Sequence, residues 1–415
     1  MAETEEKISP RGWLTMWICW IGIALNQILM FGLGIVLPDI TAEMNLSASQ
    51  AGALGAVGGG LTALLSIPMN AWVAKHRPKL TIGLSIAGMA LAYLANGLAH
   101  NYPLLLIARS VGILISMTMI GAVLLIQTQW FPPDRMGTIN GIRLGMVNVG
   151  QITATAVLPI MMANLGGWRG AYRVMAAVIV PVAGVWFLLG QERRTPEYEA
   201  RVAAQAEAGS PIKAALRRKE FLLLGVGVAS AVMAHIAFLT FWPTYVIEEK
   251  GLEITTAGSI MSILAIGSMV ASFTGGVISD RIGLRRPLLL ISGLILPVVY
   301  FVLLQFNSVV ALTVTAFIVG FWAFCFTPVV LAIPFELKGI SPQEAAVGVG
   351  YILAIINGGM AVGAQLAGIL IDSLGAYRAL ALLCLTPLPL TLFAWMLPET
   401  GPKSRNEATI IPQAE

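Results

Sequence analysis

The sequence predicts an all-α polytopic membrane protein with twelve transmembrane helices in two homologous six-helix halves. Three observations predict this fold class. Hydrophobic residues make up 57% of the 415 residues and charged residues only 11%, whereas ordinary globular chains have about 25% charged residues. Apolar runs of about 20 residues, enough to cross ~30 Å of hydrocarbon as a helix, recur along the chain. Short sequence patterns of the first half also return in the second.

The apolar runs define the predicted helices in order, each separated from the next by a polar break. They are Trp13–Leu37, Gln50–Val73, Leu80–Leu98, Pro103–Gln127, Gly137–Ala163, Tyr172–Leu189, Phe221–Ile247, Ile254–Ile278, Leu288–Gln305, Val309–Pro334, Ala345–Ile371 and Ala379–Leu397. The first run is too long for the core of a signal peptide, so we predict a retained first helix. Strands are excluded because an open sheet in lipid leaves backbone groups unpaired.

The distribution of lysine and arginine predicts the orientation. With the amino terminus inside, nearly all basic residues outside the helices fall in inside segments, as the positive-inside rule requires. The exceptions on the outside are Arg169, Arg173, Lys250 and Arg378. We therefore expect a multi-pass protein of the cell inner (plasma) membrane with both termini cytoplasmic. The net charge of +4 follows from this loop pattern and does not indicate nucleic-acid binding.

A polar stretch divides the chain in the middle. We predict an N-terminal six-helix bundle (1–189), a cytoplasmic linker (190–220), a C-terminal six-helix bundle (221–400) and a cytoplasmic tail (401–415). Gly170–Arg173 and Gly375–Arg378 share the sequence Gly-Ala-Tyr-Arg, and Asn148 and Asn357 each stand two residues before a glycine. These echoes lie at a nearly constant offset, which indicates duplication, and internal repeats are typical of alternating-access transporters.

The sharpest local motif lies in the predicted cytoplasmic turn between helices eight and nine. Gly276 favours close helix approach, the carboxylate of Asp280 stands at a helix end, and Gly283 permits a tight turn. The arginines pair with acids or hold the loop at the inner surface. A loop of this kind latches two helices in one state and releases them in another; a plain positive-inside loop is the alternative. The predicted gating-loop residues are Gly276, Asp280, Arg281, Gly283, Arg285 and Arg286.

This Gly-x-x-x-Asp-Arg-x-Gly-x-Arg-Arg pattern resembles the loop signature of the major facilitator superfamily. The resemblance covers nearly the whole chain and implies two six-helix pseudo-repeat bundles around a central cavity, which rock to expose it to either side. The chain is somewhat similar to organic-anion, monocarboxylate or cyanate-type members. The first half departs from the signature, because Asn70, Ala74 and Arg77 stand where the family has glycine, aspartate and glycine.

Two arginines lie deep in the predicted helices without an acid beside them. All 21 acids map to loops, tails or helix ends, whereas Arg109 and Arg143 lie within helices four and five. A lone charge there costs at least about 2.5–3.5 kcal/mol. A substrate anion is the economical partner, and the planar guanidinium suits a carboxylate. Two alternatives stay open: Arg109 braces its helix through backbone carbonyls, or Arg143 extends to lipid headgroups.

Other polar side chains in the apolar runs complete the predicted substrate site. Asn148 and Gln151 form a polar stripe with Arg143, and His235 is the deep side chain that titrates near neutral pH. Proton coupling and simple packing are both open for His235. The further predicted substrate-binding residues are Asn26, Gln27, Tyr351 and Asn357.

The sequence thus predicts a secondary transporter for a small organic anion of monocarboxylate type. Export of a lipophilic compound is the first alternative, and a membrane sensor or enzyme without transport is the second. The three histidines form no metal pattern, and we expect no catalytic residues, no metal and no cofactor. The expected partners are the lipid bilayer, an anionic small molecule, and a coupling proton or counter-anion, with the protein as a monomer.

Overall fold

The structure is a computed structural model that describes residues 9–132, 135–193, 212–401 and 403. Helices form the regular structure of these ranges, and no strand occurs in them. The helices are α1 (Pro10–Phe31), α2 (Leu33–Met44), α3 (Ala48–Ala74), α4 (Pro78–Leu98), α5 (Tyr102–Trp130), α6 (Met136–Asn164), α7 (Gly167–Leu189), α8 (Ile212–Arg217), α9 (Lys219–Glu248), α10 (Ile254–Ile282), α11 (Arg286–Gln305), α12 (Val309–Phe324), α13 (Thr327–Glu336), α14 (Pro342–Leu374), α15 (Ala376–Leu383) and α16 (Leu388–Met396).

Twelve helical stretches of the described ranges are long and apolar enough to cross a membrane. Helices suit this environment because every backbone group finds its partner inside the segment. Two of the stretches consist of two helices each, α12 with α13 and α15 with α16. The predicted all-α fold with twelve membrane helices is confirmed.

Three helices that we predicted as continuous are interrupted. The first, predicted as Trp13–Leu37, runs from α1 into α2 with a break at Gly32. The tenth breaks just before Pro328, and the twelfth breaks at Pro387. Proline has no N–H to donate to the preceding turn, which accounts for the second and third breaks. The break at Gly32 lies beside the side chain of Arg109, whose contacts are described with the candidate site.

The chain folds into two compact units. The first unit contains Met1–Gly32 and Leu65–Gly209, and the second contains Leu33–Leu64 and Ser210–Glu415. Helix α3 therefore contributes its amino-terminal part to the second unit and the remainder to the first. The division into 1–189, 190–220, 221–400 and 401–415 concerns the sequence repeat and stays a prediction. Much of the linker and nearly all of the tail lie outside the described residues.

Each unit has its own aromatic core. In the first unit, α4 packs against α5 and α7, and α1 packs against α6. Tyr172 there meets Tyr93 and Trp168 edge to face, with ring centroids 5.7 and 5.9 Å apart. In the second unit, α9 packs on α14 and α10 packs on α12, and the Phe238 and Tyr300 rings lie 4.6 Å apart. These buried rings hold the helices that position the polar side chains.

Candidate functional site

The side chain of Arg109, which belongs to α5, contacts the backbone of the first membrane helix. Its side chain is 4% exposed, and its Nη1 and Nη2 donate to the carbonyls of Leu29 and Met30 at 3.2 and 3.5 Å. These carbonyls lie next to the break at Gly32, where a helix end leaves acceptors unpaired. Tyr93 donates to the carbonyl of Leu25 in the same helix at 2.9 Å. The geometry of Arg109 is that of a brace for the broken helix.

Arg143 has a different environment. It lies on α6, is half-buried, and its Nε is enclosed without a hydrogen-bond partner in the described part of the chain. No described carboxylate forms an ion pair with it. A guanidinium has five N–H donors and no acceptor, so Arg143 offers a positive charge and free donor capacity at this position.

Gln151 continues the polar side of α6, two turns further along. Its side chain is 2% exposed, and its Nε2 has no hydrogen-bond partner among the described residues. Asn148 is also buried, but its Nδ2 donates to the carbonyl of Leu144 at 3.1 Å, inside the same helix. Arg143 and Gln151 are therefore the members of the predicted stripe with unpaired nitrogen atoms.

Two further polar groups, one on α5 and one on α6, were not among the residues predicted from the sequence. Gln127 of α5 is buried and donates from Nε2 to Oδ1 of Asn140 at 3.0 Å. The Oε1 of Gln127 has no partner in the described ranges. Asn140 stands three residues before Arg143 on α6, a spacing that places both on neighbouring parts of one helix face. That spacing was the available signal for including Asn140.

The two polar residues of α1 take part in helix packing. Asn26 is buried and its Nδ2 donates to the hydroxyl of Ser116 on α5 at 2.6 Å. Its Oδ1 has no partner within the described chain. Gln27 is buried beside Gly150, where α1 and α6 approach closely. Both residues thus join α1 to its neighbours in the first unit, and Asn26 retains one free acceptor.

The remaining predicted substrate residues belong to the second unit. The Nδ1 of His235 lies 2.9 Å from the hydroxyl of Tyr300, and its ring meets Phe324 edge to face. Its Nε2 has no partner among described residues. Asn357 donates to the carbonyl of Leu353 at 2.7 Å, and Tyr351 is half-buried. Within the second unit His235 is therefore held between α9, α11 and α12, while Asn357 is tied to its own helix.

The predicted gating loop is organised by Arg285. Its Nη1 donates to Asp280 at 2.6 Å and to the Ser279 hydroxyl at 2.9 Å. Its Nε and Nη2 donate to Glu336 at 3.0 and 2.8 Å. The bonds to Glu336, and then those to Asp280, outweigh burial and hold the pKa of the guanidinium above its ordinary value. Arg285 therefore stays charged and joins α10 to the end of α13.

A third acid caps the helix that follows the loop. Glu399, beyond α16, accepts from the backbone N–H of Arg285 at 2.6 Å and of Arg286 at 3.2 Å. The first N–H groups of a helix need such acceptors, and a negative charge is favourable there. Arg286 also donates to the carbonyl of Trp395 at 2.7 Å. Arg281 is exposed, and Gly283 takes the left-handed conformation (φ +77°) that ends α10.

The expected role of Gly276 in close packing is wrong, because the adjacent glycine has it. A Cβ on Gly276 would meet the Cβ of Pro328 at 3.6 Å, an ordinary contact. A Cβ on Gly275 would overlap the carbonyl oxygen of Cys325. The close approach of α10 to the break before α13 therefore depends on Gly275, one position earlier than the motif suggested.

This difference gives a matched pair of variants. We expect Gly275→Ala to destabilise the protein by about 1–3 kcal/mol, the usual cost of overpacking, since a backbone carbonyl cannot move aside cheaply. Gly276→Ala should change stability by less than about 0.5 kcal/mol. Thermal unfolding of the purified variants in detergent measures both. Equal melting temperatures would show that the approach at Gly275 relaxes freely.

The corresponding loop of the first half is built differently. Arg77 pairs with Glu192 at 2.8 Å, and the Lys79 N–H points to the same carboxylate at 3.4 Å. Arg77 is 72% exposed, so the pair is worth little in water. Ala74, at the position of the missing aspartate, has no carboxylate to offer. The second-half loop is the better enclosed of the two.

The described ranges contain twelve membrane-length helical stretches with polar side chains buried among them, which is the architecture of a multi-pass membrane protein. No group of three or more His, Cys, Asp or Glu that could hold a metal ion occurs among the described residues. The family model of the Major Facilitator Superfamily matches residues 19–337 and 247–412. The chain belongs to this superfamily, which confirms the resemblance found in the sequence.

The known proteins similar to this chain include one named as a regulator and others named as transporters. The transcription regulatory protein OpdE of Pseudomonas aeruginosa is 27% identical over 389 residues, covering 90% of each chain. The hexuronate transporter of Bacillus subtilis is 22% identical and covers 86% of this chain and 88% of its own. A bacterial homologue of the human lysosomal transporter Spinster, solved in an inward-facing and occupied conformation, has a TM-score of 0.81 at 16% identity, covering 94% and 97%. That structural likeness supports the fold.

Proposed function

We propose that the protein is a secondary active transporter of the cytoplasmic membrane that moves a small organic anion, such as a monocarboxylate, by alternating access. A proton or a counter-anion is the coupling partner, and both termini are cytoplasmic. The observation that supports this most is the state of Arg143. Its guanidinium is half-buried in α6, with an enclosed Nε and no described carboxylate to neutralise it.

The chemistry of the site favours an anion over a cation or a neutral apolar solute. Arg143 offers a planar fork that binds the two oxygens of a carboxylate. Gln151 adds an amide nitrogen without a described partner on the same helix. Leaving such donors unpaired in a buried place costs about 1–3 kcal/mol each, which a carboxylate ligand would recover. A hydrophobic compound would leave these costs in place, which argues against lipophilic export.

The name of one of the two relatives supports the same class of substrate, and the name of the other suggests a competing function. The relative from Bacillus subtilis is named for hexuronate, a sugar acid whose carboxylate would suit Arg143. The relative from Pseudomonas aeruginosa is named as a transcription regulatory protein, so a sensing role without transport is the competing function. The two proposals differ in one observable, since a transporter moves its ligand across a sealed membrane and a sensor only binds it.

Binding and transport are tested in sequence with the purified protein. We expect one or more small carboxylates, from a panel of monocarboxylates and hexuronates, to raise the melting temperature with concentration. Stabilisation follows mass action and reaches about 2.7 kcal/mol at a concentration 100 times Kd. The same compounds, radiolabelled, should enter proteoliposomes. Stabilisation without uptake would favour the sensor, and stabilisation by hydrophobic cations alone would favour export of lipophilic compounds.

A further inference from the structure

An apolar groove opens between α4 and α5 on the surface of the first unit, and we call it the α4–α5 groove. Its volume is about 530 Å³, within the range of small-ligand pockets, about 300–1,000 Å³. Buried alanines form its floor, and exposed aliphatic side chains form its edges. The floor residues are Ala92, Ala99 and Ala108, and the edge residues include Leu91, Leu98 and Ile107. Among the described residues that line it, His100 alone has a polar side chain.

The α4–α5 groove has the length of one leaflet of a bilayer. It follows α4 from Gly88 to Leu98, a distance of about 15 Å at about 1.5 Å per residue, and the whole hydrocarbon core is about 30 Å thick. Its deep end is closed by Ile115, whose Cδ1 would lie 3.1 Å from a Cβ on Gly88. Its other end reaches the turn between the two helices, where His100 is exposed. The groove thus extends from the middle of the membrane to one surface.

Positive charge is concentrated at the surface end of the groove. Arg169, at the start of α7, donates from Nη1 to the carbonyl of Ala99, and its guanidinium lies 4.4 Å from the ring centroid of Trp168. These contacts hold its charge beside the groove. Arg173, one turn further on α7, is exposed, and its Cγ would lie 3.2 Å from a Cβ on Gly97 of α4. Both arginines are exceptions to the positive-inside pattern, which predicts that this end of the unit lies outside.

We propose that the α4–α5 groove binds an anionic phospholipid of the outer leaflet, with an acyl chain in the groove and the phosphate beside Arg169 and Arg173. Lipid tails are as apolar as the groove, so burial of apolar surface alone gives no preference for one lipid over another. A flexible acyl chain fills the groove through dispersion contacts, which an empty groove would lose. Selectivity then comes from the headgroup, since each basic residue near the surface attracts an anionic lipid.

Two other occupants suit the groove less well. A small carboxylate would find no hydrogen-bond donors along the floor, whose residues are alanines. A zwitterionic lipid carries a positive group close to its phosphate, and two arginines at one end of the groove repel that group. The site faces the lipid, so its occupancy does not depend on the solute that the protein transports.

The test measures lipid binding to the purified protein by native mass spectrometry and needs no substrate. Phosphatidylglycerol and phosphatidylcholine with the same acyl chains are added in equal amounts to delipidated protein in detergent. We expect the parent to bind phosphatidylglycerol in preference. Arg173→Gln should lower this preference about fivefold, the usual effect of one basic residue near an anionic lipid. Ala95→Trp puts an indole at an exposed position of the groove and should remove the most tightly bound phosphatidylglycerol.

Each variant has a matched control. Arg378 is exposed and takes the place of Arg173 in the second Gly-Ala-Tyr-Arg sequence, so Arg378→Gln removes an equivalent charge away from the groove. Leu84→Trp adds an indole at an exposed position of α4 outside the groove. Both controls should bind lipid like the parent. Equal binding of the two lipids by the parent overturns the proposal, as does unchanged binding in either Arg173→Gln or Ala95→Trp. Because no transport is measured, failure of the proposed substrate class would leave this result unaffected.

Discussion

Arg143→Ala is expected to abolish the uptake of a labelled carboxylate into proteoliposomes while the protein remains folded. A hydrogen bond to a charged group contributes about 1.5–3 kcal/mol, which corresponds to a loss of affinity of roughly 10- to 150-fold. The side chain makes no described ion pair whose loss would destabilise the fold. We therefore expect the melting temperature without ligand to be unchanged, and the ligand-induced shift to disappear together with uptake.

Arg143→Lys separates geometry from charge, and Arg378→Ala is the control. Arg143→Lys retains the positive charge but loses the planar fork, so we expect weak uptake with a raised KM. Arg378→Ala removes an exposed arginine from α15 and should transport like the parent. Normal uptake by Arg143→Ala, at equal amounts of reconstituted protein, would remove Arg143 from the substrate site. It would also remove the main support for an anionic substrate.

The membrane fold could be predicted from the sequence because lipid allows few solutions. A segment in hydrocarbon must satisfy its own backbone, so length and hydropathy suffice to place the helices. The break at Gly32 was not visible in the same way. It lies beside Arg109, whose guanidinium donates to the carbonyls of Leu29 and Met30 about eighty residues earlier in the chain. Hydropathy indicates whether a helix is surrounded by lipid or by water, and it contains no information about such contacts.

The residues of the candidate site could be predicted from the sequence better than their ion-pair and hydrogen-bond partners. The loop motif identified Arg285 and Asp280, which lie close in sequence and meet in space at 2.6 Å. Glu336 and Glu399 were not identified as partners, because each comes from a distant helix end and no local spacing relates them to the loop. The motif predicted the close approach at Gly276, whereas the structure has it at Gly275. Neighbouring residues of a helix point in different directions, and the motif does not show which of them faces the other helix.

Arg285→Ala is expected to lower stability more than the removal of any other charge in the gating loop. The side chain of Glu336 is only 14% exposed and would lose the cation that it faces. Removing one partner of a buried ion pair costs about 3–5 kcal/mol. We expect the lower end of that range, because the side chain of Asp280 is 64% exposed and water can hydrate it. Thermal unfolding in detergent, followed by tryptophan fluorescence, measures the loss.

The cause is tested by a double-mutant cycle with Glu336→Gln. If the cost comes from an uncompensated carboxylate, removing both charges costs less than the sum of the single changes. Arg281→Ala removes an exposed arginine of the same loop and should have little effect on stability. Equal losses for Arg281→Ala and Arg285→Ala would mean that the enclosed ion pair contributes nothing beyond surface charge. A coupled loss would instead identify Arg285 as the contact that holds α10, α11 and α13 in one arrangement, and transport by the stable double variant would then show whether that arrangement must be released.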